Sequence, residues 1–385
     1  MKKHRRLAFV CLAGSLCASS YADLNMNGFA TMAGGMTFSD EESLDGYDNY
    51  LSFTENSLLG IQIKADLGDK LTATAQIISK GSENWNAKFE WAYIGYEASD
   101  NIKVLLGRQR APYYNYSDYL DVSYAYHWIT PPESVYNLPF DTTNGVGAVI
   151  SNELGPFEST LHFVYGAHEN TINVQGEEAL TEVGAQISAA WNLDWEWLSL
   201  RFGYSEADRL KLHIQQMEAL AAGWAEAGFD QFVPIISTSD DDNSGSFLDL
   251  GFTVDYENWL INAEYTELSL TGVPLSDTRS AWYTSVGYRF GNVMPHFTFG
   301  KDDETPIDDS FLDDVPLGID PGLDGLVAVT SELINSATNE AEYYILGVRW
   351  DFHGSAAFKL DYKYQTNKLT DDTDNLLRFA VVTVF

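Results

Sequence analysis

Between residues 24 and 385 the sequence alternates apolar and polar side chains in segments of about ten residues, and this pattern constrains the fold more than any other feature. Segment 356–366 is the clearest case. Phe358, Leu360, Tyr362 and Tyr364 fall on one face, and Lys359, Asp361, Lys363 and Gln365 on the other. Successive strand side chains point to opposite faces, so such a segment has one apolar and one wettable side. Segment 247–256 repeats it, with Leu248, Leu250, Phe252, Val254 and Tyr256 set against Asp249, Thr253 and Asp255. Segments 259–266 and 343–352 do the same. A half-buried soluble sheet would also alternate. The aromatic residues near the segment ends favour a membrane wall, because rings with a polar tip suit the headgroup zone.

The pattern predicts sixteen strands: 24–38, 54–67, 71–81, 86–99, 102–111, 143–154, 157–168, 178–193, 196–207, 246–257, 259–270, 278–290, 294–302, 340–353, 356–367 and 375–385. Seven connections are tight: 68–70, 100–101, 155–156, 194–195, 258, 291–293 and 354–355. Gly, Asn and Pro recur in them, as positive or fixed φ requires. They alternate with mostly longer connections: 39–53, 82–85, 112–142, 169–177, 208–245, 271–277, 303–339 and 368–374. An even strand number with short turns on one side and long loops on the other predicts an all-β fold. It is a 16-stranded antiparallel transmembrane β-barrel with short periplasmic turns and long external loops. Leu210 to Phe229, within a long loop, has Ala and Leu at helix-like spacing and reads as a structured external loop.

The amino terminus supplies the compartment. Lys2, Lys3, Arg5 and Arg6 precede an apolar stretch from Leu7 to Ala18, and Ser20-Tyr21-Ala22 ends it. This is the layout of a secretory signal peptide, 1–22, leaving 23–385 as the barrel. Its removal takes away four basic residues and both cysteines, so the net charge moves from −34 to −38. Such acidity speaks against a nucleic-acid partner, which needs clustered Lys and Arg. No segment has about 20 consecutive apolar residues, so no membrane helix is expected. Acid clusters lie in the long loops: Asp40-Glu41-Glu42, Asp240-Asp241-Asp242, Asp302-Asp303-Glu304 and Asp371-Asp372. The run from Asp240 to Gly245 resembles a calcium loop but lacks its closing bidentate Glu, so no metal site is assigned. His127, His162, His168, His213, His296 and His353 are scattered, without a nucleophile-elbow or zinc-protease context. Neither an enzyme nor a cofactor is expected.

Three segments resemble a known family. Ser57-Leu58-Leu59-Gly60-Ile61 followed by Asp66-Leu67-Gly68-Asp69-Lys70-Leu71 is similar to the hairpin of the second and third strands of Gram-negative general porins. Ala92-Tyr93-Ile94-Gly95-Tyr96 with Val104 to Gln109 resembles their fourth and fifth strands. The final strand, Arg378 to Phe385, resembles the signal read by the barrel insertion machinery, with Phe385 as its terminal aromatic. The chain departs from the family in lacking an Arg after Ser57, and its third loop is not of the common Pro-Glu-Phe-Gly-Gly type. The resemblance implies a 16-stranded barrel, usually a homotrimer, in outer-membrane lipid and lipopolysaccharide. It also implies an inward-folded third loop.

Arg108 and Arg110 share strand parity. A charge facing lipid near the midplane costs about 2–4 kcal/mol, so both are expected in the lumen, with Lys64 as a further basic wall residue. Asp118, Asp121 and Glu133 lie on segment 112–142. Folded inward, that segment would set these acids against the Arg pair across a narrow gap, creating a transverse field. The plainer alternative is that they are solvated loop acids. Tyr113, Tyr114, Tyr116, Tyr119, Tyr124 and Tyr126, with His127 and Trp128, either pack the loop against the wall or form a track for flat-faced solutes. Arg201, Arg289, Arg349, Lys359, Lys363 and Arg378 are further lumen candidates by parity. The expected function is a cation-preferring, water-filled channel for passive diffusion of small hydrophilic solutes. Alternatives are a channel selective for a sugar, oligopeptide or organic ion, and an adhesin or phage-receptor barrel.

Overall fold

The computed structural model describes residues 23–38, 43–138, 141–174, 177–239, 242–272, 277–336 and 338–385. The expected signal peptide and the acidic residues Asp40–Glu42 and Asp240-Asp241 lie outside them. The strands are β1 (Asp23–Thr37), β2 (Leu58–Gly68), β3 (Leu71–Lys80), β4 (Ala87–Ser99), β5 (Ile102–Arg110), β6 (Thr142–Leu154), β7 (Phe157–Val174) and β8 (Glu177–Trp195). They continue as β9 (Leu198–His213), β10 (Ser244–Tyr256), β11 (Trp259–Thr271), β12 (Thr278–Tyr288), β13 (Val293–Thr305), β14 (Asn339–His353), β15 (Ala356–Asn367) and β16 (Thr373–Val384). Each pairs antiparallel with its sequence neighbours, and β1 pairs with β16, so the sheet closes with no free edge. Closure is what allows strands to cross a bilayer, since every ladder group finds a partner.

The alternation sorts side chains as period two demands. On β15, Lys359 and Asp361 are buried inside while Tyr362 and Tyr364 face out. Leu106, Leu346, Val381 and Met32 form part of the exposed apolar exterior. At the turn end, outward aromatics pair up: Trp197 with Tyr256, Trp259 with Tyr288, and Trp350 with Phe352. Phe385 closes the seam through two backbone bonds with Gly28, of 2.6 and 2.9 Å.

Some boundaries differ from expectation. β7 and β8 run on to Val174 and from Glu177, so most of the expected loop 169–177 is a strand hairpin. β9 likewise continues to His213. The turn after β8 is Glu196-Trp197 rather than 194–195, with Glu196 at φ +43°. The structured loop contains a helix, Gln215–Glu226. A longer helix, Pro321–Ser336, lies in the loop before β14, where the sequence reading has only a loop. The two join through Trp224, whose indole N–H donates to Thr330 Oγ1 at 2.9 Å. Ser244 and Gly245, the end of the calcium-like run, open β10.

Gly107 adopts φ +135°, and a Cβ there would lie 2.3 Å from the Ala92 carbonyl oxygen. Gly107→Ala should therefore cost about 1–3 kcal/mol and lower the yield of folded barrel. Heat denaturation in detergent reads this; an unchanged midpoint would refute it.

Candidate functional site

The third long loop, between β5 and β6, leaves the wall at Ala111 and turns into the barrel. The reason is local. Pro112 cannot continue the ladder, and the loop's apolar and aromatic residues find burial only inside. Tyr113, Tyr114, Tyr116, Tyr126, Trp128, Ile129 and Val135 are all buried. The loop crosses to the far wall, where Asn115 N–H donates to Glu264 Oε1 at 2.9 Å and the Tyr116 hydroxyl accepts from Asn262 at 3.0 Å. Tyr136 also bonds Glu264 and stacks on Tyr116 at 5.8 Å. Sequence reasoning missed Tyr136 and Glu264 because nothing local links residues so far apart in the chain.

A second set of contacts holds the loop's distal half. Lys359 Nζ donates to the Trp128 carbonyl and to the Ser123 hydroxyl. Ile129 N–H donates to Asp361 Oδ2 at 2.9 Å. Trp128 Nε1 donates to Thr298 Oγ1 at 2.8 Å. Arg349 donates to the Tyr124 and Tyr126 carbonyls, both at 2.8 Å. His127 Nε2 lies 2.9 Å from Ser285 Oγ, and its ring meets that of His296, which lies 3.3 Å from Asp361. This Ser–His–His–Asp series is almost fully buried under the loop. Its contacts tie the loop to the wall strands β12, β13 and β15, so it serves as an anchor. Burial drives the His127 imidazole well below its usual range, so it stands there neutral.

The predicted site residues separate into distinct places. Arg110 is buried and donates to Glu90 at 2.8 Å, to Asp121 at 2.5 Å and to the Ser117 carbonyl at 3.1 Å, with Asp141 at 3.3 Å. Lys80 completes the cluster, 2.8 Å from Asp121 Oδ1. Burial alone would raise the Asp121 carboxyl, but Lys80 and Arg110 outweigh it and hold it well below the carboxylate range. Asp121 is thus joined to Arg110 directly, not opposed across a gap. Glu90 enters by a bulge: Gln76 pairs with Trp91 and Ile77 with Phe89, leaving Glu90 as the extra residue.

Arg108 corrects the parity argument. It pairs with Ala92 and Asn144, in the row of Leu106, Ile94 and Val146, whose exposed apolar side chains mark the outer surface. Arg110 escapes that row because the strand ends there and the chain swings inward, so two residues of equal parity diverge. Lys64 faces the lumen opposite Asn25 and Thr74. It lies six residues turnward of the rung that pairs Leu58 with Lys80, about 20 Å from the Arg110 cluster at strand rise.

Glu133 does not meet the Arg pair either. It lies 3.8 Å from Arg378, which also faces Asp45 at 3.5 Å. Asp45, from the first loop, reaches in to Lys363 at 2.6 Å. Burial raises both acids, but Lys363 and Arg378 overcome this for Asp45 and lower it. Glu133, with burial and the neighbouring Asp45 against it, is pushed up to about 7. Glu133 lines a cavity of about 320 Å³ on the loop side, with Lys80, Asp121 and Tyr126. A drop from pH 8 to pH 6 should therefore remove one negative lumen charge and shift the reversal potential towards the anion side. Bilayer reversal potentials across that range test this, and Glu133→Gln should abolish the change.

Asp118 alone of the three predicted acids makes no ion pair among the described residues. It is exposed in a cavity of about 670 Å³ on the turn side of the loop. Arg201 and Arg289 line the same cavity. Arg201 donates to Asp249 at 2.6 Å, and Arg289 takes Asp255 through two bonds of 2.6 and 2.8 Å. Four of the six named tyrosines are buried as packing. Tyr124 instead reaches the Gly354 carbonyl at 3.0 Å. Tyr119 is 38% exposed to the cavity.

No curated protein matches the sequence. The chain is similar in structure to OmpF of Salmonella typhi in complex with daunomycin, with TM-score 0.59, 12% identity, and 95% of this chain and 99% of that one covered. The outer membrane channel DcaP of Acinetobacter baumannii gives TM-score 0.59, 15% identity and coverage of 94% and 97%. An anion-selective porin from Comamonas acidovorans gives 0.57, 11%, and 94% and 100%. At these identities the likeness shows the fold. A family model for Gram-negative porins matches residues 7–382, nearly the whole chain. With its closed sixteen-strand barrel and inward third loop, the chain belongs to the Gram-negative porin family and is an outer-membrane channel.

Proposed function

We propose that the protein is a passive diffusion channel that prefers cations, working as a homotrimer. The balance of lumen charge carries the preference. Arg110, Arg201, Arg289 and Arg378 each face a carboxylate, and Lys359 and Arg349 donate to loop carbonyls, so much of the basic wall is spent, with Lys64 and Lys103 in no ion pair among the described residues. Asp118 stays exposed and unpaired beside the path, where an uncompensated carboxylate raises local cation concentration. Single-channel recording should show ohmic steps in KCl, with Asp118→Asn lowering cation preference while the conductance changes little. A barrel that never conducts would favour an adhesin or phage-receptor role instead.

Two features of the exterior support the trimer. The paired aromatics of the turn end run from Phe157–Trp195 round to Trp350–Phe352, whereas the β16-to-β5 arc carries Leu24, Met26, Leu67 and single rings. Arg108 stands on that arc, where a neighbouring subunit would suit a guanidinium better than lipid. One solved relative, OmpT of Vibrio cholerae, is described in a trimer form. Cleavage after Ala22, recognition of Phe385 by the insertion machinery and contact with lipopolysaccharide belong to the same reading. Amino-terminal sequencing of the inserted protein should begin at Asp23.

A further inference from the structure

The turn-side cavity has more shape and charge than passive flow requires. At about 670 Å³ it is the size of a small-molecule site. Trp91 and Tyr93, whose ring centres are 6.4 Å apart, line one wall, and Tyr119 lines the loop side. Its charged lining is Asp118, Asp194 and Asp255 against Lys103, Arg201 and Arg289. Arg289 pairs with Asp255, and Arg201 with the buried Asp249 behind it, each at 2.6 Å. That leaves two exposed carboxylates, Asp118 and Asp194, with no ion pair among the described residues, against the single amine of Lys103. Asp118 is close enough to act electrostatically on Tyr93, Tyr119 and His162, and Asp194 on Tyr119, so acids and ring faces share one space.

We propose that this cavity binds organic cations bearing a flat apolar face, with Asp118 and Asp194 taking the charge and Trp91, Tyr93 and Tyr119 taking the face. Carboxylates attract the cation, and ring faces add cation–π attraction and apolar contact that a hydrated K⁺ does not gain. The inference rests on the reading of the chain as a cation-preferring channel and adds to it a saturable site.

The test uses the full protein in planar bilayers with KCl, adding phenethylammonium, phenylacetate or benzyl alcohol, alongside calorimetric titration of the detergent-folded protein with phenethylammonium. Phenethylammonium should block current saturably and phenylacetate should not. The Asp118→Asn/Asp194→Asn double variant should weaken block and binding about tenfold, and Tyr119→Leu should weaken both by a smaller factor. Equal block by phenylacetate, or block and binding unchanged in the double variant, would overturn the site. Cation-preferring current with neither block nor binding heat removes the site and leaves the channel reading standing. Binding heat without any conductance does the reverse.

Discussion

Arg110→Met should loosen the third loop at its root and destabilise the barrel by about 3–5 kcal/mol, the usual cost of removing one partner from a buried charge cluster. Arg110 is the centre of that cluster, facing Glu90, Asp121 and Asp141 at once. Without it, Lys80 remains beside Asp121, while Glu90 and Asp141 are left without a cation. The barrel should unfold at lower temperature in detergent, and single channels should become noisier as the loop root fluctuates. Adding Asp121→Asn to Arg110→Met should recover part of the loss, because one stranded charge is gone. An unchanged melting temperature in Arg110→Met would mean that the cluster is not what ties the loop down.

Trp128→Ala should act at the other end of the loop, with a comparable loss of about 3–5 kcal/mol for truncating a buried Trp. Trp128 is fully buried, packs edge-on against Tyr283 at 5.4 Å and gives its indole N–H to Thr298. The substitution removes the packing but leaves the backbone carbonyl that Lys359 holds. The distal half should therefore shift rather than detach, widening the passage. Larger single-channel conductance and faster liposome swelling with bulkier sugars are the expected readouts. Trp128→Phe should sit between the two, keeping ring contact but losing the hydrogen bond. Unaltered conductance and sugar cut-off in Trp128→Ala would show that the loop does not set the pore's width.

The wall was legible in the sequence because period two is a local signal, and burial inside or lipid outside enforces it at every step. β15 agrees residue for residue with expectation at 356–367. The site was legible only as a region. Parity put Lys359, Lys363 and Arg378 inside, where they are buried. It failed for Arg108 because the argument ran across the point where a strand becomes a loop. Pairings such as Asp45 with Lys363, or Tyr136 with Glu264, join residues more than a hundred positions apart and leave no mark in local pattern. The bulge at Glu90 leaves no mark either, since a single inserted residue looks like a small phase error. The helix Pro321–Ser336 was hidden inside a segment read for its acids.

The sequence leads one to expect the loop acids opposite the arginines across open water. Burial instead brings most of them into contact, since an unpaired charge inside the barrel costs more than a paired one. On the proposed reading, selectivity depends on the few charges left over, with Asp118 the foremost. The most direct test is the reversal potential of the wild-type channel in a planar bilayer under a tenfold KCl gradient. A potential of the sign set by K⁺, reduced in Asp118→Asn, is the expected result. A potential of the sign set by Cl⁻ would contradict it.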